Sequence, residues 1–237
     1  MAKHELASAR AYDLADSATE RLSEWRSRLI LLSAGSLPGI SETSFLGREL
    51  KGASVIAGMA ELEAILREML ISIGECINSS QVRLRDLKPS LRALVAHSDF
   101  ESLLALRDRS KVWPKRLGLT SLDEASEVAV FPERSFKSPQ PPLDGKTIQT
   151  SHLALVWQVL GIENPIPEPS AFVIASLKKL TQIRNDVAHR NISIEEVFRQ
   201  ADRSANHLEQ HLEHLVFLII HISIEWASYL TDEKYLK

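Results

Sequence analysis

Residues 171–189 read AFVIASLKKLTQIRNDVAH, and the apolar side chains in this stretch recur every three or four positions. A repeat of this period predicts an amphipathic helix whose apolar face packs into a core. Arg184 and His189 lie in the last part of the stretch, so we expect polar chemistry at a helix end. The predicted core stripe consists of Val173, Leu177, Leu180, Ile183 and Val187.

On the C-terminal side, Ser193 and Glu196 fit a capping box, in which two side chains bond the free amides of a helix start. Apolar periodicity continues from there, which predicts one long helix from Ser193 to about Leu230. The segment 184–189 would then lie at the junction between two core helices.

On the N-terminal side, the same period predicts two long helices, at about residues 2–33 and 42–76. Gly35, Pro38 and Gly39 separate them. Small residues in the second helix favour a close approach to its neighbours. The first predicted stripe is Ala11, Leu14, Ala18, Leu22, Trp25, Leu29 and Leu32, and the second is Phe45, Leu46, Leu50, Ala53, Ala57, Ala60 and Ala64.

The middle of the chain predicts shorter helices separated by prolines and started by capping boxes. Residues 131–147 lose periodicity, which fits either a plain surface connection or a loop over a site. We therefore expect an all-α protein with one domain, 1–237, and an inserted section at about 80–150. The boxes are Ser98 with Glu101 and Ser121 with Glu124, and the separating prolines are Pro89 and Pro114.

Composition restricts the classes of function. Net charge is −3, which argues against binding nucleic acid through bulk charge alone. Cys76 is the only cysteine, so an internal disulfide or a cysteine-only metal site is excluded and a reducing cytoplasm is expected. The N-terminal residues do not resemble a secretory signal, and the apolar run 215–220 is shorter than a membrane span. We expect no membrane partner.

The residues 184–189, Arg-Asn-Asp-Val-Ala-His, carry the most specific chemistry. An uninterrupted helix would place Arg184 and His189 about 140° apart with about 7.5 Å of rise. Asn191 and Ser193 favour an irregular helix end near Ala188. The side chains of Arg184 and His189 could then both point out of the junction between the two helices. His can move a proton near neutral pH, and Arg can hold a phosphate. Together they suit attack by an RNA 2′-hydroxyl on its adjacent phosphate, which requires no metal or other cofactor.

This segment resembles the motif of the HEPN superfamily, in which Arg is followed by a polar residue and then, four to six positions after the Arg, by His. The spacing here leaves four intervening residues, with Asn185 in the polar position. The all-helical pattern resembles a HEPN-like helical bundle with extra middle helices and a Pro-rich loop, as in larger nuclease-type members such as the RiboL-PSP-HEPN group. The likeness covers residues 1–80 and 150–237.

The resemblance implies a metal-independent endoribonuclease, with RNA as substrate and Arg184, His189 and Asn185 as catalytic residues. It also implies a homodimer with a composite active site, because one chain offers one His where an acid and a base are needed. A role as a toxin or an antiviral-defence effector, with an antitoxin or regulatory protein as partner, is implied as well. We also expect RNA contacts from Asp186, Lys111, Trp113, Lys115 and Arg116.

Other interpretations stay open at this point. The chain could be a non-catalytic helical module, with Arg184 paired to a carboxylate such as Asp186 and His189 stabilised at a helix C-terminus. The basic segment 81–116 could be a set of solvated helix faces or a surface that follows RNA. Four histidines form a stripe on the last helix, and the motif expected of a zinc hydrolase is lacking there. They are His207, His211, His214 and His221.

Overall fold

A computed structural model describes residues 3–106, 109–122, 124–131, 140–163, 165–167, 170–189 and 193–237. The side chains of residues 3, 109, 110 and 189 lie outside this description. The described chain is mostly helical, which confirms the all-α prediction. The helices are α1 (Lys3–Ser33), α2 (Phe45–Ser80), α3 (Pro89–Val95), α4 (His97–Ala105), α5 (Arg109–Thr120), α6 (Thr150–Leu160), α7 (Ser170–His189), α8 (Ile194–Val197) and α9 (Ala205–Thr231).

The four long helices α1, α2, α7 and α9 pack together into a bundle. α9 lies against α1 along much of its length and also contacts α2 and α7, while α7 contacts α2. Burial follows the predicted stripes on α1 and α7: Ala11, Ala18, Leu22, Leu29 and Leu32, and Val173, Leu177, Leu180 and Ile183, are all buried. The short helices extend from this bundle, with α6 on α7, α3 on α6, and α4 on α3 and α5.

The predicted core stripe of α2 is wrong. Phe45 and Leu46 are exposed, and the buried face instead carries Val55, Met59, Leu62, Leu66 and Met69. Small or apolar residues occupy both faces of the first half of α2, so its periodicity did not identify which face is inward. Glycines make the close approach: a Cβ at Gly58 would lie 2.7 Å from Cδ2 of Leu212 on α9.

The predicted single helix from Ser193 to Leu230 is divided into two helices. Ser193 does cap a helix, because its side chain accepts a hydrogen bond from the amide of Glu196, but α8 ends at Val197. A 3-10 turn at Ala201–Arg203 follows, and Ser204 caps α9 by accepting from the amide of His207. A second serine cap therefore begins a separate helix, α9.

The predicted middle section also differs in detail. α4 begins at His97 with Ser98 already inside the helix, and Ser121 follows the end of α5, so neither of the two capping boxes forms. Pro114 lies inside α5 instead of ending it. In the irregular stretch predicted at residues 131–147, residues 132–139 lie outside the described chain and residues 140–147 are non-helical.

α9 is the one described helix that is long and apolar enough to cross a membrane by length and composition. Its most apolar 18-residue window has a mean hydropathy of 1.3, and 56% of that window is buried. The core helix of a soluble protein meets the same criterion, so this is weak support for a span. The prediction concerned the run 215–220 alone, and both the absence of a membrane partner and the cellular location stay predictions.

Candidate functional site

α7 is helical through His189, so the predicted loosening near Ala188 does not occur in the described chain. Positions 184 and 189 are therefore about 140° apart around one helix. Asn191 and the side chain of His189 lie outside the described residues. The backbone positions at the two ends of the motif therefore lie on different sides of α7.

Arg184 and Asn185 form a half-buried polar pair near the end of α7. Nη1 of Arg184 donates to Oδ1 of Asn185 at 3.4 Å, and the hydroxyl of Thr147 donates to the same oxygen at 2.9 Å. Thr147 belongs to the segment before α6, and it holds the Asn185 side chain against that segment. No local sequence pattern predicts this contact, because Thr147 and Asn185 are far apart along the chain.

Asp186 forms an ion pair with Arg203, with Nη2 of Arg203 2.8 Å from Oδ2 of Asp186. Arg203 is only 1% exposed, and its Nη1 also donates to the carbonyl of Val197 at 3.1 Å. This arrangement contradicts the structural alternative in which Asp186 pairs with Arg184. A role for Asp186 in RNA binding stays a prediction, and it would compete with this ion pair.

A second buried cation, Lys51, lies where α2 packs near Phe198, just after α8. Lys51 is 3% exposed, with Nζ 3.5 Å from Oε1 of Glu42 and 4.9 Å from the ring centroid of Phe198. Burial lowers the pKa of the Lys51 ammonium, and the nearby Glu42 carboxylate opposes that shift. Glu42 also accepts a hydrogen bond from the amide of Ala205 at 2.5 Å. Through Glu42, these contacts join the N-terminal part of α2 to the first residue of α9.

Three of the α9 histidines lie within hydrogen-bond distance of serines: two reach Ser176 on α7, and His207 reaches Ser204, the cap of its own helix. Nδ1 of His211 and of His214 lie 2.9 Å and 2.7 Å from the hydroxyl of the buried Ser176, and Nδ1 of His207 lies 2.7 Å from that of Ser204. Burial, and then the neighbouring His214, lower the pKa of His211 to about 4. No three His, Cys, Asp or Glu side chains of the described residues are grouped to hold a metal ion.

The basic segment 81–116 does not form one continuous charged surface over its described part. Arg92 is buried and donates to the carbonyls of Arg85 and Leu87, and Lys88 donates to the carbonyl of Gly161 at 3.1 Å. Lys115 on α5 forms an ion pair with Asp99 at 3.1 Å. Several of these cations therefore serve the local fold.

Trp113 and Arg116 remain available at the surface of α5. Trp113 is 64% exposed, and the guanidinium carbon of Arg116 lies 5.3 Å from its ring centroid. Lys111 is exposed on the same helix. α5 packs chiefly on α4, so the structure does not bring these predicted RNA contacts onto α7 beside the motif.

A small pocket of about 260 Å³ lies between the start of α6 and the middle of α7. Its lining is polar and includes Lys178 and Gln182, which precede the motif on α7. Sequence reasoning missed both, although they stand seven and three positions before Asn185 and so share its helix face. Helical spacing could have found them.

No family model, no curated protein and no solved structure matches this chain.

Proposed function

We propose that the chain is a metal-independent endoribonuclease of the HEPN type, with Arg184, Asn185 and His189 as its catalytic residues. The observation that carries the proposal is that the Arg184 guanidinium is partly buried and has no carboxylate partner among the described residues. The nearby carboxylate of Asp186 is bound to Arg203 instead. A fixed cation without a carboxylate partner at a helix end can bind a phosphate through its planar set of donors.

The reaction follows from the groups available. The 2′-oxygen of a ribose attacks the adjacent phosphorus, a new O–P bond forms, and the bond from phosphorus to the 5′-oxygen breaks. One His189 accepts the 2′-hydroxyl proton, and another donates a proton to the leaving 5′-oxygen. Arg184 holds the phosphate oxygens on which negative charge builds. The products are a 2′,3′-cyclic phosphate and a 5′-hydroxyl.

Two copies of the chain are needed for this arrangement. Positions 184 and 189 are about 140° apart on one continuous helix, so a single chain does not direct both toward one phosphate. A two-fold pair of chains would bring Arg184 of one copy near His189 of the other. This supports a homodimer with a composite site, as the motif resemblance implies.

The cellular setting follows from the same resemblance. We infer a toxin or an antiviral-defence effector that acts on RNA in the cytoplasm. Such an enzyme needs control of its activity, which would come from an antitoxin or a regulatory protein. Single-stranded or looped RNA is the expected substrate, because unpaired riboses reach in-line geometry more readily.

The direct experiment is incubation of total RNA with the purified protein in excess EDTA, followed by analysis of the fragment ends. The proposal expects cleavage that survives chelation, with cyclic or 3′-phosphate ends and 5′-hydroxyl ends. A 2′-O-methyl group at the cut position should block cleavage. Fragments with 5′-phosphate ends, or activity lost on chelation, would instead indicate a metal-activated water.

The alternative is a non-catalytic helical module that binds RNA or a partner protein. It is favoured by an apolar stripe on the outer face of α9, where Phe217, Ile220 and Ile224 are each at least 40% exposed. Exposed apolar patches mark interaction surfaces more often than catalytic ones. A folded dimer that binds RNA and leaves it uncut would support this alternative.

A further inference from the structure

The pocket between α6 and α7 is lined by polar residues, and hydrogen bonds order the chain beside it. Gln149, Thr150, Lys178, Thr181 and Gln182 surround about 260 Å³. The hydroxyl of Thr181 donates to the carbonyl of Ile148 at 2.9 Å, which ties the chain before α6 to α7. The amide of Gln149 donates to Nδ1 of His152 at 3.0 Å within the capping box of α6. These hydrogen bonds order the start of α6 and join it to α7 beside the pocket.

Helical geometry places two residues of this pocket on the same face of α7 as Asn185 of the motif. Positions 178, 182, 185 and 189 are spaced by four, three and four residues along one uninterrupted helix, so they share one face of α7. The rise from Lys178 to Asn185 is about 10.5 Å. A single-stranded chain bound at Asn185 can reach Lys178 without leaving this face.

The charges on this face suit an anion. Lys178 is exposed and has no carboxylate partner among the described residues, whereas its neighbour Lys179 faces α9 and pairs with Asp202. None of the pocket-lining residues is acidic. The side-chain amides of Gln149 and Gln182 add neutral donors and acceptors of the kind that contact ribose and base edges.

We propose that this pocket is a subsite for the RNA strand next to the cleaved bond, with Lys178 on a flanking phosphate and Gln182 on the attached nucleoside. The proposal rests on the endoribonuclease function above and adds the path of the RNA strand along α7. The strand extends from the motif toward the N-terminal end of α7.

The probe is a short single-stranded RNA with 2′-O-methyl groups throughout, which binds without being cut, and its Kd is measured over a range of salt concentrations. Lys178→Met should weaken binding roughly fivefold to tenfold and lower the salt slope by about 0.7, the loss of one phosphate contact. Gln182→Ala should weaken binding roughly threefold with an unchanged slope, because it removes no charge. Lys237→Met, an exposed lysine at the C-terminus, is the control with the same change in net charge.

The outcomes separate this proposal from the function on which it rests. If the wild type cleaves RNA and Lys178→Met matches Lys237→Met in affinity and slope, the subsite is refuted and the nuclease stands. If Gln182→Ala binds like the wild type while both lysine variants weaken equally, the effect is long-range charge and the pocket is not used. A folded wild type that neither binds nor cuts RNA overturns both proposals.

Discussion

Three successive residues of the motif have different partners. Within the described part of the chain, Arg184 donates to the neutral amide of Asn185 and has no carboxylate partner, Asn185 accepts from Thr147, and Asp186 pairs with Arg203. Because the carboxylate is engaged by another arginine, the positive charge of Arg184 is not neutralised by its neighbour in sequence. The local arrangement leaves this cation for a ligand and assigns the adjacent carboxylate to the fold.

Arg184→Lys tests whether the planar guanidinium matters beyond its charge. We expect cleavage of RNA to fall by about a hundredfold or more, because an ammonium cannot form the paired bonds that Arg makes to a phosphate. Arg199→Lys, an exposed arginine in the turn after α8, is the matched control and should keep wild-type activity. An Arg184→Lys variant with full activity would show that Arg184 serves the fold alone.

His211 makes the stability of the protein depend on pH. In the folded chain its pKa is lowered to about 4 by burial and by His214, while in the unfolded chain it is near the usual value of about 6.5. Between these values the unfolded state binds the proton more strongly, so the free energy of unfolding decreases as pH falls from about 6.5 to 4. The contribution is at most on the order of 3 kcal/mol, because His211 is only partly buried and solvent screens its interactions.

Urea unfolding of the wild type and of His211→Gln at several pH values measures this contribution. The difference in unfolding free energy between the two proteins should shift in favour of the variant as pH falls through this window. The surrounding groups His207, His214, Lys179 and Asp202 are common to both proteins, so their titration largely cancels. A constant difference from pH 7 to 4 would contradict the assignment.

At the scale of the elements, α2 shows that helix packing here depends on small residues as much as on large ones. Gly52 approaches side chains of Val187, Ile194 and Phe198, where α7 and α8 meet α2. Gly58 approaches the side chains of Leu212 and Leu215 on α9. The approach at Gly52 lies at the motif-bearing end of α7, and the approach at Gly58 joins α2 to α9.

Gly58→Ala should therefore destabilise the protein, although alanine favours a helix. The added Cβ would lie 2.7 Å from Cδ2 of Leu212 and 3.1 Å from Cδ2 of Leu215 in a packed core. Overpacking of this kind costs about 1 to 3 kcal/mol, against a gain of about 1 kcal/mol in helix propensity. Thermal unfolding measures the net effect, which we expect as a lower Tm.

The control for this substitution is Gly118→Ala in α5. A Cβ at Gly118 meets no atom within 4 Å, so the same chemical change acts through propensity alone. It should leave Tm unchanged or raise it slightly. Equal effects of the two substitutions would mean that the contact between α2 and α9 tolerates the extra methyl group.

At the scale of the whole molecule, the proposed chemistry requires two chains. One continuous α7 directs positions 184 and 189 to different sides, and an acid and a base are both needed. A stable two-fold interface should bury at least about 1,000 Å². The helices that flank the motif are the expected interface, since they must bring the two sites together.

A heterodimer of wild type with His189→Ala tests the shared site. Independent sites would keep about half of the wild-type activity, whereas a composite site that uses both histidines should retain far less. The His189→Ala homodimer should lose activity by a factor of about 100 to 10,000, as expected for loss of a general acid–base group. Half activity in a verified heterodimer would refute the shared site even if the chain is a nuclease.

Local sequence patterns were sufficient to predict the helical class, the stripes of α1 and α7 and the Ser193 cap, because periodicity and capping are local properties. Helical spacing could also have placed Lys178 and Gln182 on one face with Asn185, but the sequence predicted a loosened end of α7 and these two residues were missed.

Only the tertiary structure decided which face of α2 is buried, where the last helix divides, and which partner each motif residue takes. Both faces of α2 carry apolar or small residues. Which face is buried therefore depends on the side chains of α9 that pack against it. The partners Arg203 and Thr147 lie far from their contacts along the chain, and burying Arg203 requires the Asp186 carboxylate beside it. Such pairings arise from packing between elements, which local sequence patterns do not encode.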